Sequence, residues 1–168
     1  MKQSVTRAGG PQAPDLWVGL DPELQFVDPR PPKLLAYWEA KRPHGRLPAR
    51  RDVDPAELRE HLGNLVLIEV QRAPLRMRYR LIGSAITRAM QRDSTGKYYD
   101  EIYGPDLLAQ IETSFRWLIE NKAPLRASGE AFYPDKNFYR YEVINLPLAD
   151  DGENVDMVLG ELIFHLKR

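Results

Sequence analysis

Strict alternation across residues 76–81 is the feature that most narrows what this chain can fold into. Arg76, Arg78 and Arg80 interleave with Met77, Tyr79 and Leu81, and side chains along an extended chain point to alternate faces. The segment is expected as a strand, with Tyr79 and Leu81 turned toward helices and the three arginines turned away. A slip of one residue would bury three guanidinium groups, each costing several kcal/mol if left unpaired. Residues 65–70 read as a second strand by their β-branched content. Residues 72–75, with Pro74, are too short for a crossover, so the two strands pair as an antiparallel hairpin with the arginine strand at a sheet edge. There the arginines read as solvated edge protection. The alternative has them meeting an acidic partner or the N-terminal segment.

The rest of the chain falls around this hairpin. Residues 1–30 carry Gly9, Gly10, Pro11, Pro14, Pro22 and Pro29 and read as a tail. Residues 31–62 form an N-terminal helical extension. Pro31 and Pro32 suit a helix start, and Leu34, Leu35 and Trp38 give an amphipathic stripe. Asp54-Pro55-Ala56-Glu57 opens a second short helix, with Asp54 as cap and Glu57 closing the box. Residues 63–168 are the core. After the hairpin, Gly83 breaks the strand, and Ala85, Ile86, Ala89 and Met90 follow at helical spacing. A longer helix runs from Pro105 to Asn121 on Leu107, Leu108, Ile111, Phe115, Leu118 and Ile119. Three further strands are expected at 125–133, 138–148 and 155–166. This order predicts an α+β fold: a five-stranded antiparallel sheet with helices on one face.

Composition excludes some functions. Lys+Arg and Asp+Glu both number 24, so the formal net charge is zero, without the basic footprint of a nucleic-acid partner. There is no cysteine, hence no disulfide, thiolate ligand or cysteine nucleophile. His44, His61 and His165 lie too far apart in sequence to suggest a metal site and read as surface or satisfied histidines. The N-terminus lacks the apolar run of a secretory signal, and no stretch approaches the roughly 20 apolar residues of a membrane span. A cytoplasmic location is expected.

At the level of motifs the chain resembles a PAS-like family common in alphaproteobacteria, whose members carry a single PAS domain. The matching pieces are Leu35-Ala36-Tyr37-Trp38, Gly45-Arg46-Leu47-Pro48-Ala49-Arg50 and Asp52-Val53-Asp54-Pro55. They continue with Leu67-Ile68-Glu69-Val70, Tyr79-Arg80-Leu81-Ile82-Gly83-Ser84 and Asp93-Ser94-Thr95-Gly96. The resemblance covers about residues 31–166. The resemblance implies a small pocket between sheet and helices, and a role in sensing, dimerisation or partner docking. Relatives that bond flavin or another chromophore need a cysteine, which is absent here, so covalent photochemistry is excluded; noncovalent flavin stays open. Haem-binding relatives usually carry a histidine on the long helix, and residues 105–121 contain none.

Candidate site residues follow. One face of the strand at 125–133 reads Leu125, Ala127, Gly129, Ala131, Tyr133, small in its middle. Either Phe115 and Leu118 fill that space, or Tyr79, Ile86, Met90, Tyr99, Phe115 and Val143, with Gly129 behind them, line a pocket for a small apolar or aromatic metabolite. Leu34, Tyr37 and Trp38, large for a lone helix, are expected at a homodimer or partner surface. The expected function is a non-catalytic sensory and regulatory module acting through an unknown signalling partner. Its rivals are a structural adaptor with a solid core and a small cavity enzyme. The enzyme would need a buried acid or histidine, and no such residue is placed with assurance on an apolar face.

Overall fold

A strand stands where a tail was expected. The computed structural model describes residues 18–132 and 138–166, and within it β1 (Val18–Asp21) is followed by helix α1 (Arg30–Ala40). Pro31 lies in the first turn of α1, where its missing N–H leaves no partner unsatisfied. The helix expected after Asp54 is replaced by two 3-10 turns, Pro55–Leu58 and Leu62–Asn64. Asp54 does cap the first, its carboxylate accepting the Ala56 N–H at 2.9 Å. Glu57, however, pairs with Lys41 at 2.9 Å instead of closing a capping box.

The hairpin forms as expected from β2 (Leu65–Arg72) and β3 (Leu75–Ile82). Then come α2 (Ser84–Met90), the short α3 (Tyr99–Ile102) and α4 (Pro105–Asn121). Strands β4 (Leu125–Phe132), β5 (Phe138–Leu148) and β6 (Met157–Leu166) complete the chain. The sheet is antiparallel throughout the described residues, in the order β1-β4-β5-β6-β2-β3. It therefore has six strands rather than five, because Val18–Asp21 adds to the outer edge of β4. Tyr133 and the turn at 134–137 lie outside the described residues. No helix among the described residues is long and apolar enough to cross a membrane.

Strand β3 is the last strand beside β2, as the short link required. One detail differs. The register shifts between Leu67 and Ile68, which pair with Leu81 and Tyr79, so Arg80 is the extra residue of a bulge. Tyr79 is turned inward and buried, while Leu81 shares a face with Leu67 at the sheet margin and is 46% exposed. The bulge breaks the alternation at the point where the strand ends. Nor is the β3 edge bare: the Tyr79 N–H donates to the Lys97 carbonyl at 3.1 Å, and the Gly96 N–H to the Tyr79 carbonyl at 2.7 Å. The arginine row finds its acids within this chain. Arg78 Nε donates to Glu69 at 2.8 Å, and Arg76 Nε donates to Asp100 at 2.7 Å with its guanidinium 3.4 Å from the Tyr98 ring centroid.

Paired residues in an antiparallel ladder share a face, so the register sorts the sheet. Tyr79, Ile68, Val158, Ala127, Val143 and Tyr141 belong to one face. Tyr99 and Phe115, from α3 and α4, stack over that face at Tyr79. Glu142, Ile144, Leu146, Glu161 and Leu65 belong to the other. That second face is covered by the chain before β2: Val27 and Asp28 reach Glu142, and His61 of the N-terminal extension reaches Glu161. The extension thus shares one core with the sheet.

The turn from β5 to β6 is built on Asp151. Its carboxylate accepts the Asn154 N–H at 2.7 Å, the Asn154 side chain at 2.8 Å and the Glu153 N–H at 2.8 Å. These donors, the Asn154 N–H foremost, lower its pKa from 3.8 to about 2. A depressed carboxylate contributes stability that is fully present above its unfolded value and is lost as pH falls through the folded one. The turn is expected to keep its amide chemical shifts down to about pH 3 and to lose them with a midpoint near 2, followed by NMR at Glu153 and Asn154. A midpoint near the ordinary aspartate value, about 4, would contradict it.

Candidate functional site

Between the sheet and the helix pair α3–α4 lies a cluster of aromatic side chains. Tyr79 arrives from β3 by the alternation that turns its arginine neighbours away. Tyr99 arrives from the first position of α3, a turn fixed by Glu101, whose carboxylate accepts the Tyr98 N–H at 2.7 Å. That capping contact directs Tyr98 outward under Arg76 and Tyr99 inward, where it is 5% exposed. The Tyr79 and Tyr99 ring centroids are 4.5 Å apart. Tyr99 meets Tyr103 edge-on at 5.3 Å and Phe115 edge-on at 5.9 Å, the offset geometries that aromatic quadrupoles favour. The Tyr79 and Tyr103 hydroxyls hydrogen-bond to each other at 2.7 Å.

The electrostatics of the cluster follow from its burial. Desolvation disfavours phenolate, so it pushes Tyr79 and Tyr99 well above the ordinary tyrosine value and raises Tyr103. Tyr141, on the same sheet face and sensing Tyr103, is pushed up to about 12. All four phenols are neutral at physiological pH. They offer hydrogen-bonding hydroxyls in an apolar setting and no charge.

The structure brings Tyr79, Tyr99 and Phe115 into ring contact. Ile86 is buried in the same core, and Met90 is half-buried against it. Gly129 is buried and pairs with Tyr141, and Val143 is half-buried one step along the same face. Sequence reasoning missed Tyr103 and Tyr141. Signals for both were present: Tyr103 follows Tyr99 at helical spacing, and Tyr141 has the same strand parity as Val143.

Leu34 and Trp38 require a correction. They are 0% and 1% exposed, interior to this chain, because the extension folds back onto the sheet instead of standing free. Trp38 Nε1 donates to the Pro147 carbonyl at 2.9 Å. Tyr37 is half-buried, its hydroxyl accepting the Asp54 N–H at 2.9 Å.

A second constellation lies on the opposite sheet face. His61 Nδ1 is 2.6 Å from Glu161 Oε2, both side chains are buried, and Glu161 Oε1 has no hydrogen-bond partner among the described residues. Burial raises the Glu161 carboxyl, and the His61 contact offsets part of this. Glu142, also buried, accepts from Val27, Asp28 and Arg126. Buried acids therefore do exist here, where the sequence placed none with assurance on an apolar face, and His61 is a satisfied histidine as expected; this group lies on the sheet face away from the tyrosines. Their arrangement holds chain segments together. Among the described residues no group of three or more acids and histidines is arranged to hold a metal ion.

A family model described as PAS domain matches residues 28–163. The chain belongs to the PAS domain family. Its structure is similar to that of an RNA-binding light-oxygen-voltage receptor, with 14% identity and a TM-score of 0.51 over 90% of this chain. This chain corresponds to 39% of that receptor. It is similar too to a light-oxygen-voltage domain described with a flavin analogue: 13% identity, TM-score 0.51, 67% of this chain and 84% of that one. A PAS domain from Colwellia psychrerythraea matches with 11% identity and a TM-score of 0.50, over 68% of this chain and all of that one. At such identities the likeness concerns the fold. No curated protein sequence matches. PAS domains are in general sensory and regulatory modules rather than enzymes, and the aromatic cluster of this PAS domain lies between sheet and helices.

Proposed function

We propose that this PAS domain is a cytoplasmic sensory module that holds a small apolar or aromatic metabolite against its tyrosine cluster. It passes the bound state on by contact with a signalling protein, as a homodimer. The observation that carries this reading is the pairing of ring faces with neutral hydroxyls at Tyr79, Tyr99 and Tyr103, beside half-buried Met90, Tyr141 and Val143. A planar ligand gains stacking on the rings and hydrogen bonds to the phenols, and nothing in the cluster demands that it be charged. With no cysteine in the chain, a ligand of flavin type would be held noncovalently. The motifs at 35–38, 45–50 and 79–84 support placement in the alphaproteobacterial single-domain group.

One observation favours a second reading, the adaptor with a solid core: Tyr79, Tyr99 and Phe115 already satisfy one another ring to ring. Native mass spectrometry of the purified chain separates the two. A retained compound of a few hundred daltons, released on denaturation, is the expected result. A bare polypeptide mass, unchanged on incubation with cell-extract metabolites, would leave the adaptor.

A further inference from the structure

We propose that residues 18–29 form a detachable flap latched by the buried carboxylate of Glu142, and that its release opens the outer edge of β4 to an extended segment of a partner protein. Beyond the β1–β4 ladder and the Asp28–Arg30 pair, the polar contacts that tie the flap to the sheet converge on one side chain. Glu142 accepts the Val27 N–H at 3.2 Å and the Asp28 N–H at 2.7 Å. It also accepts Arg126 Nε at 3.2 Å and Nη2 at 3.0 Å. Arg126 in turn lies 3.8 Å from Asp21 of β1, with its guanidinium 5.8 Å from the Phe26 ring centroid. The same carboxylate thus fixes the flap directly through two amides and indirectly through the arginine that pairs with β1. His165 Nε2, buried and without a hydrogen-bond partner among the described residues, sits 3.6 Å away from it.

Apart from this latch the flap is held by the short β1–β4 ladder, by Leu20 and Phe26 packed at the core margin, and by the Asp28–Arg30 ion pair at 2.9 Å. β1 is only four residues long, and Leu24 takes a positive φ of 60°, a conformation unfavourable for a side chain of this kind. Val27 is 79% exposed. The next residues are anchored independently. Arg30 donates to Asn64 at 3.2 Å, Asn64 donates to the Leu162 carbonyl at 3.0 Å, and Leu34 and Trp38 are buried. A hinge before α1 therefore lets the flap lift, taking Leu20 and Phe26 off the core margin while the buried residues stay in place.

Lifting it leaves β4 with unpaired backbone groups, the template on which an added strand docks. It also leaves Arg126 without Asp21, its register partner in β1. The segment that fits is extended and carries a carboxylate opposite Arg126. The docking half of this inference rests on reading the chain as a module that acts by protein contact; the latch does not.

Hydrogen–deuterium exchange on the full chain tests both halves. Glu142→Gln keeps the shape and removes the charge. It is expected to speed exchange of residues 18–29 and of the β4 amides by tenfold or more, with β2, β3 and α4 unchanged. Asp21→Asn, a milder variant for use should Glu142→Gln fold poorly, is expected to loosen the same residues to a smaller extent. A synthetic peptide of residues 14–30 should restore β4 protection in Glu142→Gln and bind it at least tenfold more tightly than the wild type. The same peptide with Asn at position 21 should bind more weakly. Unchanged flap exchange, or loss of protection across the whole sheet together, would overturn the latch. A released flap with no peptide binding would overturn the docking site alone. Neither outcome touches small-molecule retention, which belongs to the opposite sheet face.

Discussion

His61→Leu is expected to destabilise the fold by about 3–5 kcal/mol at neutral pH, because it leaves the Glu161 carboxylate buried without its partner. Glu161 is 0% exposed, and His61 Nδ1 at 2.6 Å is the partner of its one bonded oxygen. The loss should depend on pH with a defined sign. The Glu161 carboxyl is already raised above its ordinary value by burial. A raised acid favours the folded state while protonated and loses that contribution as pH rises through the folded value. The variant should therefore regain stability as pH falls toward the ordinary glutamate value and lose it as pH rises, read from chemical unfolding at each pH. Adding Glu161→Leu to His61→Leu removes the orphaned charge and should return most of the loss, since a buried pair replaced by apolar groups is often neutral. Equal destabilisation by the single and double variants would mean that the pair contributes nothing beyond its volume.

Tyr99→Ala should be of similar size, about 3–5 kcal/mol, the usual cost of truncating a buried aromatic side chain. Tyr99 is the hub of the aromatic cluster, touching Tyr79, Tyr103 and Phe115. For a chain of this length that loss corresponds to a fall of roughly 6–20 °C in melting temperature. Tyr99→Phe keeps every ring contact and should cost far less. Thermal unfolding of the two variants side by side checks this, and comparable losses would place the energy in the hydroxyl rather than the rings.

Much of this architecture is legible in the sequence, and the parts that are not share physical reasons. The hairpin is legible because period-two alternation and a short link leave one pairing, and α4 because its apolar stripe holds for the whole helix. β1 is not, because four residues flanked by Pro22 carry too little pattern to stand out. The bulge at Arg80 is set by pairing with Leu67 and Ile68 across the sheet, which no local pattern of β3 encodes. Asp54 is read correctly as a cap, but Gly63 and a short apolar run allow only 3-10 turns after it.

At the sites the balance is similar. Tyr79 and Phe115 are turned inward by strand and helix periodicity, whereas Tyr103 and Tyr141 carry only the weaker signals of spacing from Tyr99 and parity with Val143. Leu34 and Trp38 have the right character for burial, but amphipathicity does not say whether a helix meets its own sheet or another chain. Glu142 and Glu161 share strand parity with Ile144 and Ile163, so alternation places them inside. Composition alone argues that acids stay out, and here the alternation wins because each acid has a hydrogen-bond partner.

The account turns on whether the space beside the tyrosines holds a ligand, and Gly129→Leu tests it most directly. Gly129 is buried on β4 opposite Tyr141, so a leucine there enters the space that a bound compound would occupy. The expected result is a folded protein, destabilised by about 1–3 kcal/mol at most, whose native mass spectrum lacks the compound retained by the wild type. Loss of folding in Gly129→Leu, with a wild type that carries nothing, would contradict the sensing site and identify a solid core.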